Sequence, residues 1–236
     1  MIIFYSPDIT ETLTLPESDS AHAVRVLRLK EGDCITVTDG KGSFLNCRIT
    51  VAHPKKTRIE IVGKEEKPAF WKGSLTLAVA PTKNMDRMEW MTEKLTEIGI
   101  DRIVPLLCTH SERKEIKVDR LNKIAVSAMK QSLKGILPEI CGMTPVRQFV
   151  KEDKSPLKFI AYCSDDFPRK ELTDLYDPDM GATLLIGPEG DFTSEEVSEA
   201  IKNGFVPVSL GQARLRTETA ALVGINTFHI LQQLKK

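Results

Sequence analysis

The 236-residue sequence lacks several features that would assign it to common protein classes. No apolar run approaches the roughly 20 residues that span a bilayer. The first residues, MIIFYSPDIT, have neither the basic region nor the long apolar region of a signal peptide. Neither GxGxxG nor GxxxxGK[ST] occurs, so a phosphate-cradling nucleotide site is not expected. The absence of a long apolar run and of a signal peptide predicts a protein that does not bind a membrane.

Cysteine is also sparse. The five cysteines are odd in number and scattered, without a CxxC pair, which predicts free thiols in a reducing cytoplasm. Cys108 and His110 lie close together, but no second pair of ligands is near them, so no metal site is expected. The sequence therefore predicts a cytoplasmic protein without a metal.

The sequence has no excess of positive charge. Its 33 Lys and Arg residues are balanced by 33 Asp and Glu residues, for a formal net charge of +0. A general-purpose nucleic-acid binder is usually strongly basic. If nucleic acid is the partner, the positive charge must be local and the target a specific site. The hydrophobic fraction of 41% suffices for one large core and a second, smaller one.

The N-terminal part of the chain has the pattern of a small β-rich domain. Up to about Gly63, short runs alternate apolar and polar residues, as in Ile35 and Val37. The Asp-Gly-Lys-Gly segment at 39–42 has the chemistry of a hairpin turn. Residues 63–72 are charged and contain Pro68, which is typical of a connection. We therefore expect a barrel-like β domain followed by a linker.

From about Leu75 onward, strand patterns alternate with helix patterns. Asn84 and Gly99 are suited to the two ends of one helix, and Thr193 with Glu196 forms a capping box for another. Such alternation implies a mostly parallel sheet with helices on both faces. The predicted strands are 75–80, 103–107, 159–163, 183–186 and 206–210, and the predicted helices are 85–98, one capped by Asp119, one ending at Gly204, and 218–234.

The first unusual strand end is the Ile-Gly-Pro-Glu-Gly segment at 186–190. Ligands bind beyond the carboxyl ends of strands in open parallel sheets, and glycine lets the main chain approach a ligand closely. This segment is therefore a candidate binding loop. The alternative interpretation is a tight turn between a strand and a helix, with Glu189 merely solvated.

The second unusual strand end covers residues 209–218. An ordinary helix start explains Thr217 as the N-cap and Glu218 in the first turn. It does not explain Arg214 and Arg216, because cations at a helix N-terminus face the positive end of the helix dipole. An anionic partner, such as RNA phosphate or charge developing on a substrate, would compensate, and so would an ion pair. The two candidate glutamates for that ion pair are Glu189 and Glu218.

Taken together, the two loops resemble those of the SPOUT superfamily of knotted RNA methyltransferases, and within it the ribosomal RNA small subunit methyltransferase E family. There is one departure: members often read Ser-Leu-Gly-Pro-Arg, whereas this sequence has Gln212 and Ala213, with Arg214 one place later. The resemblance is carried by residues 185–190, 209–211 and 215–220, by Lys83, Asp86, Arg87 and Trp90, and by residues 96–99, 131–132 and 24–28.

The resemblance implies a fold and an activity. A PUA-like RNA-binding β-barrel would occupy residues 1–68, and an α/β domain with a deep trefoil knot residues 72–236. The protein would be a homodimer that methylates uridine N3 in small-subunit (16S) ribosomal RNA, free or in the assembled subunit, with S-adenosylmethionine as cofactor. The residues implied to form the cofactor pocket are Leu185, Ile186, Gly187, Pro188, Glu189, Gly190, Leu210, Gly211, Leu215, Thr217, Thr219 and Ala220.

Catalysis at uridine N3 requires removal of a weakly acidic proton and stabilisation of the charge that develops. Arg216 is the candidate cation, and Glu189 or Glu218 is the candidate base. Two alternatives remain open at this stage. One is 2′-O-ribose methylation, which is common elsewhere in the superfamily, and the other is a non-catalytic RNA-binding factor for ribosome assembly.

RNA binding is predicted mainly in the N-terminal domain. If residues 21–29 are helical, His22, Arg25 and Arg28 recur every three residues and share a face. The alternative is an ordinary solvated face. Lys83 and Arg87, near the end of the first strand of the second domain, are further RNA candidates.

Overall fold

A computed structural model describes residues 2–164 and 166–235. The contacts divide the chain into two compact units. One contains the residues up to Phe70 together with Val126–Leu137, and the other contains Trp71–Ala125 and the residues from Pro138 onward. Two main-chain hydrogen bonds attach the segment Val126–Leu137 to the rest of the first unit. Gly42 N donates to Gly135 O, and Leu137 N donates to Gly40 O, both at 2.9 Å.

The first unit is built on a four-stranded sheet in the order β1-β2-β3-β4. Strand β1 is parallel to β2, and the other neighbours are antiparallel. As predicted, the turn at 39–42 joins β2 to β3, and its glycines have φ of 73° and 101°. The elements are β1 (Ile3–Tyr5), α1 (Ile9–Thr12), α2 (Glu17–Ala21), a π-helical turn (His22–Val26), β2 (Cys34–Thr38), β3 (Ser43–Val51) and β4 (Arg58–Glu66).

One expectation for this unit is wrong, and the condition attached to another is not met. Residues 63–66 belong to β4, paired with β3, and not to a linker. Residues 21–29 do not form a regular α-helix, because Leu27 N donates to His22 O and so widens the turn, while Arg28 has a left-handed φ of 55°. The single face predicted for His22, Arg25 and Arg28 is therefore not formed, although all three residues are exposed.

The second unit contains a parallel sheet in the order β10-β12-β9-β11-β5-β6-β7, with β8 also paired to β6. Every strand pair in it is parallel, as the alternating pattern predicted. From Trp71 onward the elements are β5 (Leu75–Val79), α3 (Met85–Ile98), β6 (Arg102–Leu107), α4 (Val118–Gln131), β7 (Glu139–Ile140), β8 (Thr144–Pro145), α5 (Val146–Glu152), β9 (Leu157–Ala161), β10 (Lys170–Glu171), α6 (Leu172–Leu175), β11 (Ala182–Ile186), α7 (Ser194–Lys202), β12 (Val206–Ser209) and α8 (Thr217–Leu234).

Helices cover both faces of this sheet, and successive residues of β11 show it. Leu185 belongs to a buried cluster with Phe149 of α5 and Val197 of α7. Leu184 points the other way, towards α8, where it lies against Gly224. Within the described part of the chain, no helix is both long enough and apolar enough to cross a bilayer.

Local signals placed several helix ends correctly. Helix α3 has the predicted bounds, with Asn84 Oδ1 accepting from Asp86 N at 2.9 Å, and Gly99 following it at a φ of 113°. The capping box of Thr193 and Glu196 is present at the start of α7.

Other predicted bounds need correction. Helix α4 begins at Val118, so Asp119 lies inside its first turn and does not cap it. Helix α7 ends at Lys202, before Gly204. Helix α8 begins at Thr217 with Arg216 at the N-cap position, so Thr217 is not the cap. Strand β9 ends at Ala161, because the amide of Cys163 donates to the carboxylate of Asp191 and not to a neighbouring strand.

Candidate functional site

The carboxyl ends of adjacent parallel strands form the candidate site. In the order β12-β9-β11-β5, both loops predicted from the sequence follow strands at this edge, and β9 lies between those strands. Neighbouring strands are about 4.8 Å apart. The segment after β9, residues 162–164, is therefore brought between the two loops. Sequence reasoning missed it because only the strand order places β9 there.

A buried hydrogen bond joins the two predicted loops. Thr217, the first residue of α8, donates from Oγ1 to the carbonyl oxygen of Gly187 at 3.2 Å. Thr217 is only 7% exposed, and the two residues are 30 positions apart in the chain. The start of α8 is thus attached directly to the loop after β11.

The loop after β11 folds into a tight turn at 188–191. Asp191 N donates to Pro188 O at 2.9 Å, and Asp191 has a left-handed φ of 63°. Its carboxylate accepts from Cys163 N at 2.9 Å and from Phe192 N at 2.8 Å. A Cβ on Gly187 would lie 3.1 Å from the Phe192 ring and 3.2 Å from Asp191 Oδ1. Glycine at 187 therefore allows this close packing.

Glu189 is exposed, but it is attached to the loop after β5. Its Oε1 accepts from the main-chain amide of Lys83 at 3.1 Å. The Lys83 ammonium pairs with Glu112 at 2.9 Å, and this hydrogen bond raises the pKa of Lys83. Arg113 holds the same loop by donating to Lys83 O at 2.6 Å. The interpretation of Glu189 as merely solvated is therefore wrong, and Lys83 is already paired with an acidic side chain.

Glu218 is buried at the start of α8. Its Oε1 lies 3.6 Å from Arg87 Nε, and its side chain is 9% exposed against 37% for Arg87. Its second oxygen, Oε2, is buried with no hydrogen-bond partner among the described residues. Glu218 therefore pairs with Arg87, and not with either arginine of the neighbouring loop.

Arg214 and Arg216 are both exposed ahead of α8. Across residues 2–164 and 166–235, neither guanidinium forms an ion pair, and the two candidate glutamates are engaged by Lys83 and Arg87. The alternative in which Glu189 or Glu218 forms an ion pair with these arginines is therefore not supported. Two cations at the positive end of a helix leave this edge of the sheet suited to an anionic partner.

Cys108 and His110, the two residues considered above as metal ligands, lie next to this site. Cys108 is buried, and its burial raises the pKa of the thiol. His110 instead faces main-chain carbonyl oxygens of the loop after β11. In the part of the chain that the structure describes, no group of three or more His, Cys, Asp and Glu side chains could hold a metal ion.

Comparison of the sequence with known proteins shows the family to which the chain belongs. Residues 71–229 match the RNA methyltransferase domain, and residues 15–62 match the RNA methyltransferase PUA domain. The chain is 31% identical to the ribosomal RNA small subunit methyltransferase E of Synechocystis sp., over 94% of this chain and 74% of that protein. The chain belongs to the ribosomal RNA small subunit methyltransferase E family.

Solved structures agree with this assignment. A probable rRNA-methyltransferase from Porphyromonas gingivalis is 43% identical, with a TM-score of 0.95 over 100% of both chains. The ribosomal RNA small subunit methyltransferase E of Neisseria gonorrhoeae, bound to S-adenosyl methionine, is 28% identical, with a TM-score of 0.85 over 98% of both chains. The predicted fold class, a parallel α/β sheet preceded by a PUA-type domain, is confirmed.

Proposed function

We propose that this protein transfers a methyl group from S-adenosylmethionine to N3 of a uridine in small-subunit (16S) ribosomal RNA. Membership of the methyltransferase E family supports the reaction and the class of substrate. The observation that carries the proposal is the hydrogen bond from Thr217 to Gly187, which joins the two loops at the carboxyl edge of the sheet. A ribosomal substrate also implies a cytoplasmic enzyme.

The residues at this edge fit the proposed cofactor. S-adenosylmethionine has an adenine, an amino acid end and a sulfonium centre that supplies the methyl group, and it has no phosphate. Strand-end loops with glycine offer it main-chain N–H and C=O groups. Among the described residues other than 210–212, no atom lies within 4 Å of a Cβ built on Gly211, so the main chain there is open to a ligand. The proposed pocket residues are Gly187, Pro188, Glu189, Gly190, Leu210, Gly211, Leu215, Thr217, Thr219 and Ala220.

Leu185 and Ile186, the other two candidate pocket residues, do not offer side chains to the cofactor. The side chain of Leu185 is in the buried core beneath α5 and α7. Ile186 is 3% exposed, and its carbonyl oxygen accepts from Ala80 N at 3.0 Å. Both residues therefore support the loop that follows them and have no free side chain to offer a ligand.

The side chains divide the chemistry between them. Arg216, exposed and outside any ion pair among the described residues, stabilises the negative charge that develops on the uracil carbonyl oxygens. Glu189 is exposed and is the better placed of the two carboxylates to accept the N3 proton. Glu218 is buried against Arg87, so we assign it a positioning role for that arginine.

The target base must leave its stack before N3 can be reached, so the RNA has to be held elsewhere as well. We propose that the PUA-type unit holds it through His22, Arg25 and Arg28, which are exposed although they do not share one helical face. Arg87, half-buried and paired with Glu218, and Lys83, paired with Glu112, are weaker RNA candidates.

The double change Arg25→Glu and Arg28→Glu is expected to weaken RNA binding about tenfold or more at low salt. It also lowers the magnitude of the slope of log K against log salt by between about 1 and 2, because fewer counterions are released on binding when two phosphate contacts are lost. A salt titration of binding measures both effects. The matched control is Lys55→Glu with Lys56→Glu, which changes the charge of two exposed residues in the same unit by the same amount. Equal affinity of the two double variants contradicts the assignment.

A homodimer is part of the proposal. Exposed apolar side chains lie on α3 and α8, which pack together: Trp90 is 42% exposed, Ile230 46% and Leu234 77%. We propose that these exposed side chains take part in the interface between the two copies of the chain. Sedimentation equilibrium tests it. The deep trefoil knot of the superfamily is proposed with it, supported by the attachment of Thr217, which follows β12, to the loop after β11.

Labelled methyl transfer tests the reaction directly. Small ribosomal subunits from cells that lack this protein are incubated with it and labelled S-adenosylmethionine, and the modified nucleoside is identified by mass spectrometry. We expect 3-methyluridine, which blocks Watson–Crick pairing and stops reverse transcriptase. A 2′-O-methyl nucleoside instead supports ribose methylation. Absence of cofactor binding by calorimetry supports a non-catalytic assembly factor.

A further inference from the structure

A histidine from the turn after β6 lies against the 188–191 turn. His110 Nδ1 is 3.0 Å from the carbonyl oxygen of Gly190 and 3.0 Å from that of Asp191. Both oxygens can only accept, so Nδ1 carries the proton and donates to them. A Cβ on Gly190 would lie 3.1 Å from the His110 Cβ. This close approach therefore depends on glycine at 190.

His110 is held in place by a buried carboxylate. The preceding residue, Thr109, donates to Glu196 Oε1 from its amide at 2.8 Å and from its hydroxyl at 2.9 Å. Glu196 is 3% exposed, and its other oxygen accepts from Thr193 N in the capping box of α7. The histidine thus projects from a turn that is fixed to the start of α7, the helix that follows the 188–191 turn.

The 188–191 turn contains a left-handed residue. Asp191 has a φ of 63°, a conformation that aspartate adopts more readily than most residues with a Cβ. Its carboxylate also holds Cys163 N, at the end of β9. His110 therefore connects the ends of β6, β11 and β9 through one turn.

We propose that His110 is a positioning residue of the cofactor site. The proposal rests on the function proposed above. The Nδ1–H of His110 fixes the carbonyl groups of Gly190 and Asp191, so that the main chain of the 188–191 turn is already arranged for the cofactor before it binds. Preorganisation of this kind improves affinity by reducing the cost of ordering the loop. Because bound cofactor orders the same turn, which carries Glu189, the effect on cofactor binding exceeds the effect on the methyl-transfer step.

Calorimetry with S-adenosylmethionine tests this. We expect His110→Ala to weaken cofactor binding about three- to tenfold, the change that follows from the loss of one hydrogen bond. The KM for the cofactor rises by a similar factor, while kcat at saturating cofactor stays within about twofold. His110→Asn restores binding, because the asparagine amide donates from the position that Nδ1 occupied.

The matched control is His53→Ala. His53 is exposed, and its ring nitrogen contacts only the amide of Lys55 in its own turn among the described residues, at 3.2 Å. The His53→Ala variant is expected to bind the cofactor as tightly as the wild type does. If the wild type fails to bind S-adenosylmethionine, the proposed function is wrong. If the wild type binds and His110→Ala binds equally well, or His110→Asn fails to restore affinity, only the role of His110 is overturned.

Discussion

Replacement of Arg216 by alanine is expected to lower kcat about 100-fold or more at saturating RNA and cofactor. The guanidinium is exposed at the N-cap of α8, beside the loops that Thr217 and Gly187 join. It has no acidic partner among the described residues, so its charge is available to a substrate. A cation aimed at charge that develops in the transition state affects kcat more than ground-state binding. Single-turnover rates of methyl transfer measure this effect.

Two further variants make the Arg216 experiment specific. Arg216→Lys keeps the charge and is expected to recover part of the rate, since lysine lacks the planar, forked donors of arginine. Arg147→Ala removes an exposed arginine from α5 and is expected to leave the rate unchanged. Near-normal turnover of Arg216→Ala would remove this residue from the mechanism.

Gly224→Val is expected to lower the free energy of unfolding by about 2–3 kcal/mol. Gly224 is buried in α8, and a Cβ there would overlap the side chain of Leu184 in β11 and approach Leu210 Cδ2 at 3.7 Å. The overlap is relieved if the end of the Leu184 side chain turns within the core or if α8 moves away from the sheet, and the start of α8 carries Arg216 and Thr217. Urea denaturation measures the loss of stability, and the methyl-transfer assay measures the accompanying loss of activity.

Gly142→Val is the matched control for this change. Gly142 is exposed, and no atom of the described residues outside 141–143 lies within 4 Å of a Cβ built on it. Its variant is expected to stay within about 0.5 kcal/mol of the wild type. Equal stability of the Gly224 and Gly142 variants would show that α8 does not need glycine where it crosses β11.

Some features could be predicted from the sequence because their signals are local. The ends of α3 follow from Asn84 and Gly99, and the start of α7 follows from the capping box of Thr193 and Glu196. A cap is an interaction between residues a few positions apart, so it is visible in the sequence. The same holds for the hairpin turn at 39–42 and for the loops that follow β11 and β12.

Other features depend on long-range contacts and could not be read from the chain alone. The partner of Glu218 is Arg87, 131 positions earlier (218 − 87), and His110 meets Gly190 across 80 positions. The condition that residues 21–29 are helical is not met for a local reason, because the main chain there forms a wider turn and Arg28 takes a left-handed conformation.

The sequence by itself determined which residue types would stand at the ends of two strands, and hence the kind of chemistry available there. Only the tertiary structure decided that the end of β9 lies between those loops, and which glutamate is buried and which exposed. The physical reason is that strand order and helix packing bring together residues far apart in the chain, and no local pattern encodes which strands become neighbours.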